Sequence, residues 1–198
     1  MAYVTDGLIF HLDGLEQGNT ADAWTDLIDG VVFTGTATSQ SDSFYFNNTY
    51  LSNTSFTLPS NTDCTLEIVY NETVKQNGIV FCSGGGSAGN IFVAPYFQQY
   101  MQRGVKYPYS RVIGTKYTLS LNAERCYQNG NAVSSNGTSA SYSTSRTNIG
   151  ARYYNSAYQI FFIGYIYAIR VYNRNLTQAE ILNNQKVDNK RFSLGLSI

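Results

Sequence analysis

Charge is scarce in this chain. Asp, Glu, Lys and Arg make up only 13% of its 198 residues, about half the usual share of roughly 25%, and the two signs cancel. A general nucleic-acid binder needs a basic stripe against phosphate, so the zero net charge speaks against that class. Histidine is reduced to His11. That excludes metal sites built on several imidazoles and leaves any Ser-His-Asp relay dependent on one residue in an apolar stretch. There is no G-x-S-x-G motif to carry a nucleophile. The cysteines Cys64, Cys82 and Cys126 are odd in number, widely spaced and outside any C-x-x-C, which reads as free thiols in or near strands. No run of eighteen apolar residues exists, so no membrane span is expected. Residues Met1 to Asp6 hold neither a basic region nor an apolar signal core. The expectation is a protein folded in the cytosol, unless a leader has been removed. Paired carboxylates are missing too. Glu67 and Glu72 lie five apart with opposite strand parity, so they would not share a face as a glycosidase pair must. They read as solvent-facing strand charges.

What is present is aromatic and neutral-polar. Hydrophobic residues reach 43% and aromatics 15%, with 17 Tyr and 11 Phe, so disorder is excluded and a sizeable core can form. Short apolar stretches recur with turn signals between them: 7–14, Val31–Phe33, Ser43–Phe46, Tyr50–Ser52, Ser55–Pro59, Cys64–Tyr70, Ile79–Cys82, Ile91–Val93, Lys116–Leu121, Arg125–Gln128 and Thr147–Arg152. Asn77-Gly78 and Asn129-Gly130 are hairpin signals. Trp24 belongs to a turn that drops one large ring inward. Phe161 to Tyr172 is apolar on both alternating faces, as a strand between two layers is. Helical punctuation occurs once, from Thr177 to about Lys186. Thr177 and Glu180 form a capping box there, and Leu176 and Ile181 a hydrophobic staple. Many short strands without βα alternation predict an all-β, two-sheet antiparallel sandwich with one short C-terminal helix. No repeat or linker divides the chain, so residues 1–198 read as one domain, with 193–198 a short tail.

Three stretches invite a functional reading. The glycine-rich Ser83–Gly89 lacks the Lys-Ser/Thr and following helix of a phosphate cradle, and reads as an inter-strand loop. Oxygen ligands for one calcium ion are available, and Asp13, at a strand end where loop carbonyls gather, is the candidate ligand. The aromatic-polar stretch holding Tyr96, Tyr100, Arg103, Tyr107 and Tyr109 suits either a sugar or a protein surface. It equally suits an ordinary sheet lining, because Tyr has high β-propensity.

The run Phe162-Ile163-Gly164-Tyr165-Ile166, then Arg170-Val171-Tyr172-Asn173-Arg174, then Leu176-Thr177-Gln178-Ala179-Glu180-Ile181 resembles the C-terminal signature of concanavalin A-like, laminin-G-like jelly-roll domains. Upstream, Gly7–Asp13 resembles their first strand and Trp24-Thr25-Asp26-Leu27 their W-x-D-L turn. Thr65–Ile68, Tyr127-Gln128-Asn129-Gly130 and Ile149-Gly150-Ala151-Arg152 fit further pieces. The resemblance implies a jelly roll that binds glycans or proteins, sometimes with calcium. Tyr167 and Ala168 stand where relatives often carry acids, which weakens the calcium case, and the sheet-face acids of enzyme relatives are missing. As a leaderless Tyr/Asn-rich unit, the chain is similar to modules of bacteriophage virion and bacterial surface proteins. The expectation that follows is a non-enzymatic virion surface protein: a head fibre, decoration protein or tail adhesin. Its partners would be other virion proteins, a second copy or a host-cell glycan, with neither nucleic acid nor membrane insertion. The alternatives are a bacterial carbohydrate-binding or adhesion module at the cell surface and, behind it, a glycoside hydrolase or lyase using Glu67.

Overall fold

The computed structural model describes residues 1–16, 19–58, 63–75, 78–83, 91–94, 99–102, 105–108, 112–122, 124–134 and 146–198; along 91–94, 99–102 and 105–108 it describes the backbone path and the Val93 side chain. The strands are β1 (Leu8–Asp13), β2 (Ala23–Thr25), β3 (Val32–Gly35), β4 (Thr38–Ser39), β5 (Phe44–Asn47), β6 (Leu51–Asn53), β7 (Thr65–Glu72), β8 (Phe81–Ser83) and β9 (Ile91–Ala94). There follow β10 (Gln99–Gln102), β11 (Val105–Pro108), β12 (Lys116–Leu121), β13 (Cys126–Gln128), β14 (Asn131–Ala132), β15 (Thr147–Ile149), β16 (Arg152–Tyr154), β17 (Ala157–Gln159) and β18 (Ile163–Tyr172). The helix α1 spans Gln178–Arg191.

Two antiparallel sheets form the sandwich the alternation predicts. The first runs β14-β13-β12-β7-β18-β5-β4, and β1 joins the second half of β18 on the edge that β5 leaves. The second runs β11-β10-β9-β8-β15-β6-β3-β2, and β16–β17 is a separate hairpin. The core lies between the sheets, where Leu66, Ile68, Leu119 and Ile169 of the first meet Phe33, Leu51, Phe81 and Ile149 of the second. Trp24 is fully buried and stacks on Phe44 at 4.6 Å between centroids. Two residues on, Asp26 accepts the His11 and Asp29 amides at 2.6 and 2.7 Å, so the W-x-D-L piece is one core ring and one turn latch.

Strand β18 is central. It pairs with β7 along its whole length, with a register shift between Ile166 and Ala168. Tyr167 is therefore the extra residue of a β-bulge, which resets the alternation. Ile166, Ile169 and Val171 face the core, while Tyr167 and Ala168 join Val69 and Phe192 on the outer face. The glycine of F-x-G-x-I has a steric reason. Gly164 has φ +154°, and a Cβ there would run into the Asn71 carbonyl on β7. Gly150 likewise has φ +78° and sits against the Phe46 ring.

Four local expectations need correction or placing. Ser55–Leu58 is not a strand; it crosses the sandwich edge, with Phe56 stacked on Phe10 at 4.4 Å. Tyr153–Tyr158, for which the alternation predicts no strand and which reads as a loop, is most of the β16–β17 hairpin, turning through Asn155 and Ser156, both at positive φ. Two-residue turns of that geometry match strand twist, and Asn tolerates the left-handed region. Helix α1 continues to Arg191, five residues beyond Lys186, because Asn184, Gln185, Val187 and Asp188 are buried against the first sheet. Asn77 and Gly84–Gly89 lie outside the described residues.

Candidate functional site

The outer face of the first sheet has a covered part and an open part. Helix α1 covers one part, and the layer beneath it is polar. Arg170 on β18 donates from Nε to Glu67 Oε2 at 2.9 Å and from Nη2 to Asp188 Oδ2 at 2.7 Å; all three side chains are sealed from solvent. Glu67 also accepts from Ser120 at 2.7 Å and Asn184 at 2.9 Å, and Asp188 from Thr118 and Tyr3, both at 2.9 Å. The Tyr3 ring closes over the Arg170 guanidinium at 4.0 Å. Burial works against the charge on Arg170, but Asp188, Tyr3 and Glu67 outweigh it and hold the guanidinium pKa well above its ordinary value. Burial pushes the Glu67 carboxyl up, with Arg170 opposing. Glu67 is thus no solvent-facing charge, and Glu72 is buried as well. Glu67 is buried because α1 covers an outer face that the sequence left looking exposed, whereas Glu72, of opposite parity, follows Leu66, Ile68 and Tyr70 on the core side of β7. No substrate reaches the Glu67 carboxylate, so its chemistry is to fasten the helix to the sheet.

The open part carries a cross-strand row. Thr38, Tyr45, Tyr165, Asn71 and Lys116 stand in register across β4, β5, β18, β7 and β12. Thr38 is exposed and the other four are half-buried. The Tyr45 and Tyr165 rings pack at 4.9 Å, tilted by 39°, and Tyr165 meets Tyr167 at 6.4 Å. Tyr167, two residues on, shares the face of Tyr165 by ordinary alternation; the bulge keeps Ala168 on that side as well and returns Ile169 to the core. Lys116 Nζ lies 4.5 Å from the Tyr167 centroid and donates to the Phe192 carbonyl at 2.9 Å. Burial raises the Tyr167 phenol to about 12, so it stays a neutral hydroxyl. Chemically, the row joins apolar ring faces to an amide, an ammonium and phenolic hydroxyls. A sugar needs that combination: ring faces for its C–H surfaces and planar or charged groups for its hydroxyls. The local sequence could not reveal it, because the alternation marks Tyr165 as outward but does not pair it with Tyr45, 120 residues earlier.

Of the sequence-derived candidates, Tyr96, Arg103 and Tyr109 lie outside the described residues. Tyr100 and Tyr107 are register partners on β10 and β11. Their row continues through Val93, Phe81, Ile149 and Leu51, which face the core further along the sheet. Asp13 is already engaged: Oδ1 accepts the Leu15 amide at 2.9 Å, and Oδ2 accepts from Arg191 at 2.8 Å with His11 Nε2 at 3.5 Å. Burial would raise its carboxyl, but His11, the Leu15 amide and Arg191 prevail and lower it. Among the described residues no three His, Cys, Asp or Glu gather as a metal-ligand set. Cys64, Cys82 and Cys126 are buried and form no disulfide with one another.

No family model matches the chain, and no curated protein matches it by sequence. Solved structures do match. The sialidase of Trypanosoma rangeli in complex with sialic acid superposes with a TM-score of 0.68 at 16% identity, over 96% of this chain and 34% of that one. Domain 4 of an extracellular GH43 arabinanase from Geobacillus stearothermophilus, in complex with arabinotriose, superposes with a TM-score of 0.56 at 14% identity, over 89% of this chain and 97% of that one. At such identities the likeness shows the β-sandwich fold. The chain spans about a third of the length of the sialidase. These neighbours overturn the virion-protein expectation. The two structures are a sialidase and a domain of an arabinanase, which agrees better with the carbohydrate-binding alternative.

Proposed function

We propose that this chain is a non-catalytic carbohydrate-binding module, and that the tyrosine row on the open face of the first sheet is its contact surface. The observation that carries the reading is the Tyr45–Tyr165 pair flanked by Asn71 and Lys116, all partly open to solvent on one rigid sheet face. Residues on strands hold such geometry better than residues on loops. The tilt between the rings gives a twisted platform, which fits a single oligosaccharide chain rather than a flat crystalline surface. The likeness to an arabinanase domain in complex with arabinotriose supports the ligand class. The sealing of Glu67 and Asp188 under α1 supports the absence of catalysis by that pair. In a longer polypeptide, a module of this kind raises the effective concentration of a neighbouring domain at its polysaccharide.

The test is a panel of immobilised neutral oligosaccharides, arabinotriose included, with released reducing ends measured in the same wells. Retention without release is expected. Release that disappears in Glu67→Gln would replace the module with an enzyme.

A further inference from the structure

The chain is neutral overall, but its charges are not mixed evenly. Between Glu72 and Glu180 the only acidic residue is Glu124, against ten Lys and Arg. This segment supplies β8–β11 and β15–β17, which form one half of the second sheet and the hairpin beside it. None of those strands contains an acid.

On this acid-free half a guanidinium is held in a defined pose. Arg146 Cζ lies over the Tyr153 ring at 3.9 Å from its centroid, and its Nη1 donates to the Tyr158 hydroxyl at 3.4 Å. Tyr158 donates in turn to Ser52 Oγ at 2.8 Å and stacks on Tyr50 at 3.5 Å between centroids, 16° from parallel. Tyr153 meets Tyr158 edge-on at 5.1 Å. The ring contact and the hydroxyl therefore restrain the guanidinium before any ligand arrives, which reduces the entropy lost on binding. Among the described residues, which include every acid in the chain, no carboxylate pairs with Arg146. Its remaining N–H donors are left for an outside acceptor. Arg152, on the same hairpin, lies over Tyr154 at 4.3 Å and adds a second positive charge.

We infer that the hairpin side of the second sheet is a binding site for an acidic saccharide, with Arg146 as the group that takes the sugar carboxylate and Tyr153, Tyr158 and Ser52 as the residues that position it. A planar fork of donors matches a carboxylate in two parallel hydrogen bonds. The surrounding tyrosines supply the amphipathic surface that a sugar ring needs and a free inorganic anion does not. The site lies on the other sheet from the tyrosine row and does not depend on it.

The experiment titrates the whole chain with trigalacturonate and, separately, with its methyl ester, which keeps the sugar and removes the charge. Wild-type protein should bind the acid, with affinity falling as salt rises. The ester, and the variant Arg146→Gln, should each bind about tenfold more weakly or worse, the loss of one charge-assisted pair. Tyr158→Phe, which keeps the ring and removes only the hydroxyl, should weaken binding in the same direction even if Arg146→Gln folds poorly. Lys190→Gln removes an exposed cation on α1, over the other sheet, and should leave binding unchanged. No binding of trigalacturonate by wild-type protein, equal binding of the ester, or full affinity in both Arg146→Gln and Tyr158→Phe would overturn the inference. Neutral-oligosaccharide binding through Tyr45 and Tyr165 stands or falls separately.

Discussion

Arg170 on the last strand and Asp188 on the helix meet at 2.7 Å with no solvent between them. That contact, shared with Glu67, joins the two C-terminal elements to the centre of the first sheet. A guanidinium between two buried carboxylates cannot be deleted without leaving both unpaired. Arg170→Met should therefore cost about 3–5 kcal/mol of folding stability. Urea unfolding measures it, and an unchanged midpoint would show that the network is incidental.

The helix start responds to acid. Arg174 forms a two-point bond with Glu180 at 3.0 and 2.7 Å, and the Thr177 amide donates to the same carboxylate at 2.8 Å. The bond from Arg174, aided by Thr177 and opposed by slight burial, lowers the Glu180 pKa from 4.5 to about 2. A carboxyl depressed by folding contributes stability above its unfolded value and loses it as pH falls through its folded value. The wild-type advantage over Glu180→Gln should be full at pH 6, shrink below about 4.5 and vanish near pH 2. Paired urea titrations across that window test it; a difference that does not change with pH would contradict the assignment.

Gly164 admits no side chain. Gly164→Ala would press a methyl group onto the Asn71 carbonyl at the β7–β18 pairing and should cost about 1–3 kcal/mol. A thermal melt unchanged from wild type would mean that the strands separate there without penalty.

The three thiols should be silent in the folded state. Cys64, Cys82 and Cys126 are buried, and burial pushes the Cys82 thiol up to about 12 and raises Cys126 as well. A thiolate-directed reagent at pH 8 should label none of them in native protein and all three in denaturant. Rapid native labelling would mean that the core opens.

Much of the sandwich was legible in the residues. The stretches Lys116–Leu121 and Cys126–Gln128 are strands, and the Thr177–Glu180 capping box is formed as its spacing predicts. The signature pieces also acquire physical reasons: the first arginine of R-V-Y-N-R is Arg170 of the buried network, and the second is Arg174 on the capping glutamate. What could not be read was the outer face of the first sheet. Glu67 looks solvated by alternation alone, because its partners stand 103 and 117 residues away at Arg170 and Asn184. The second half of α1 was hidden for the same reason. Its buried side uses Asn184, Gln185 and Asp188, so no apolar stripe announces it. The tyrosine row is likewise a product of register between distant strands, which local periodicity does not encode.

The central claim, that the open sheet face binds sugar through its tyrosines, is tested most directly by titrating arabinotriose into wild-type protein and into Tyr165→Ala, with thermal melts confirming that the variant folds. The account predicts measurable binding by wild type and a loss of about tenfold or more in the variant, the scale of a stacked aromatic contact. Equal affinity in a folded Tyr165→Ala would contradict it.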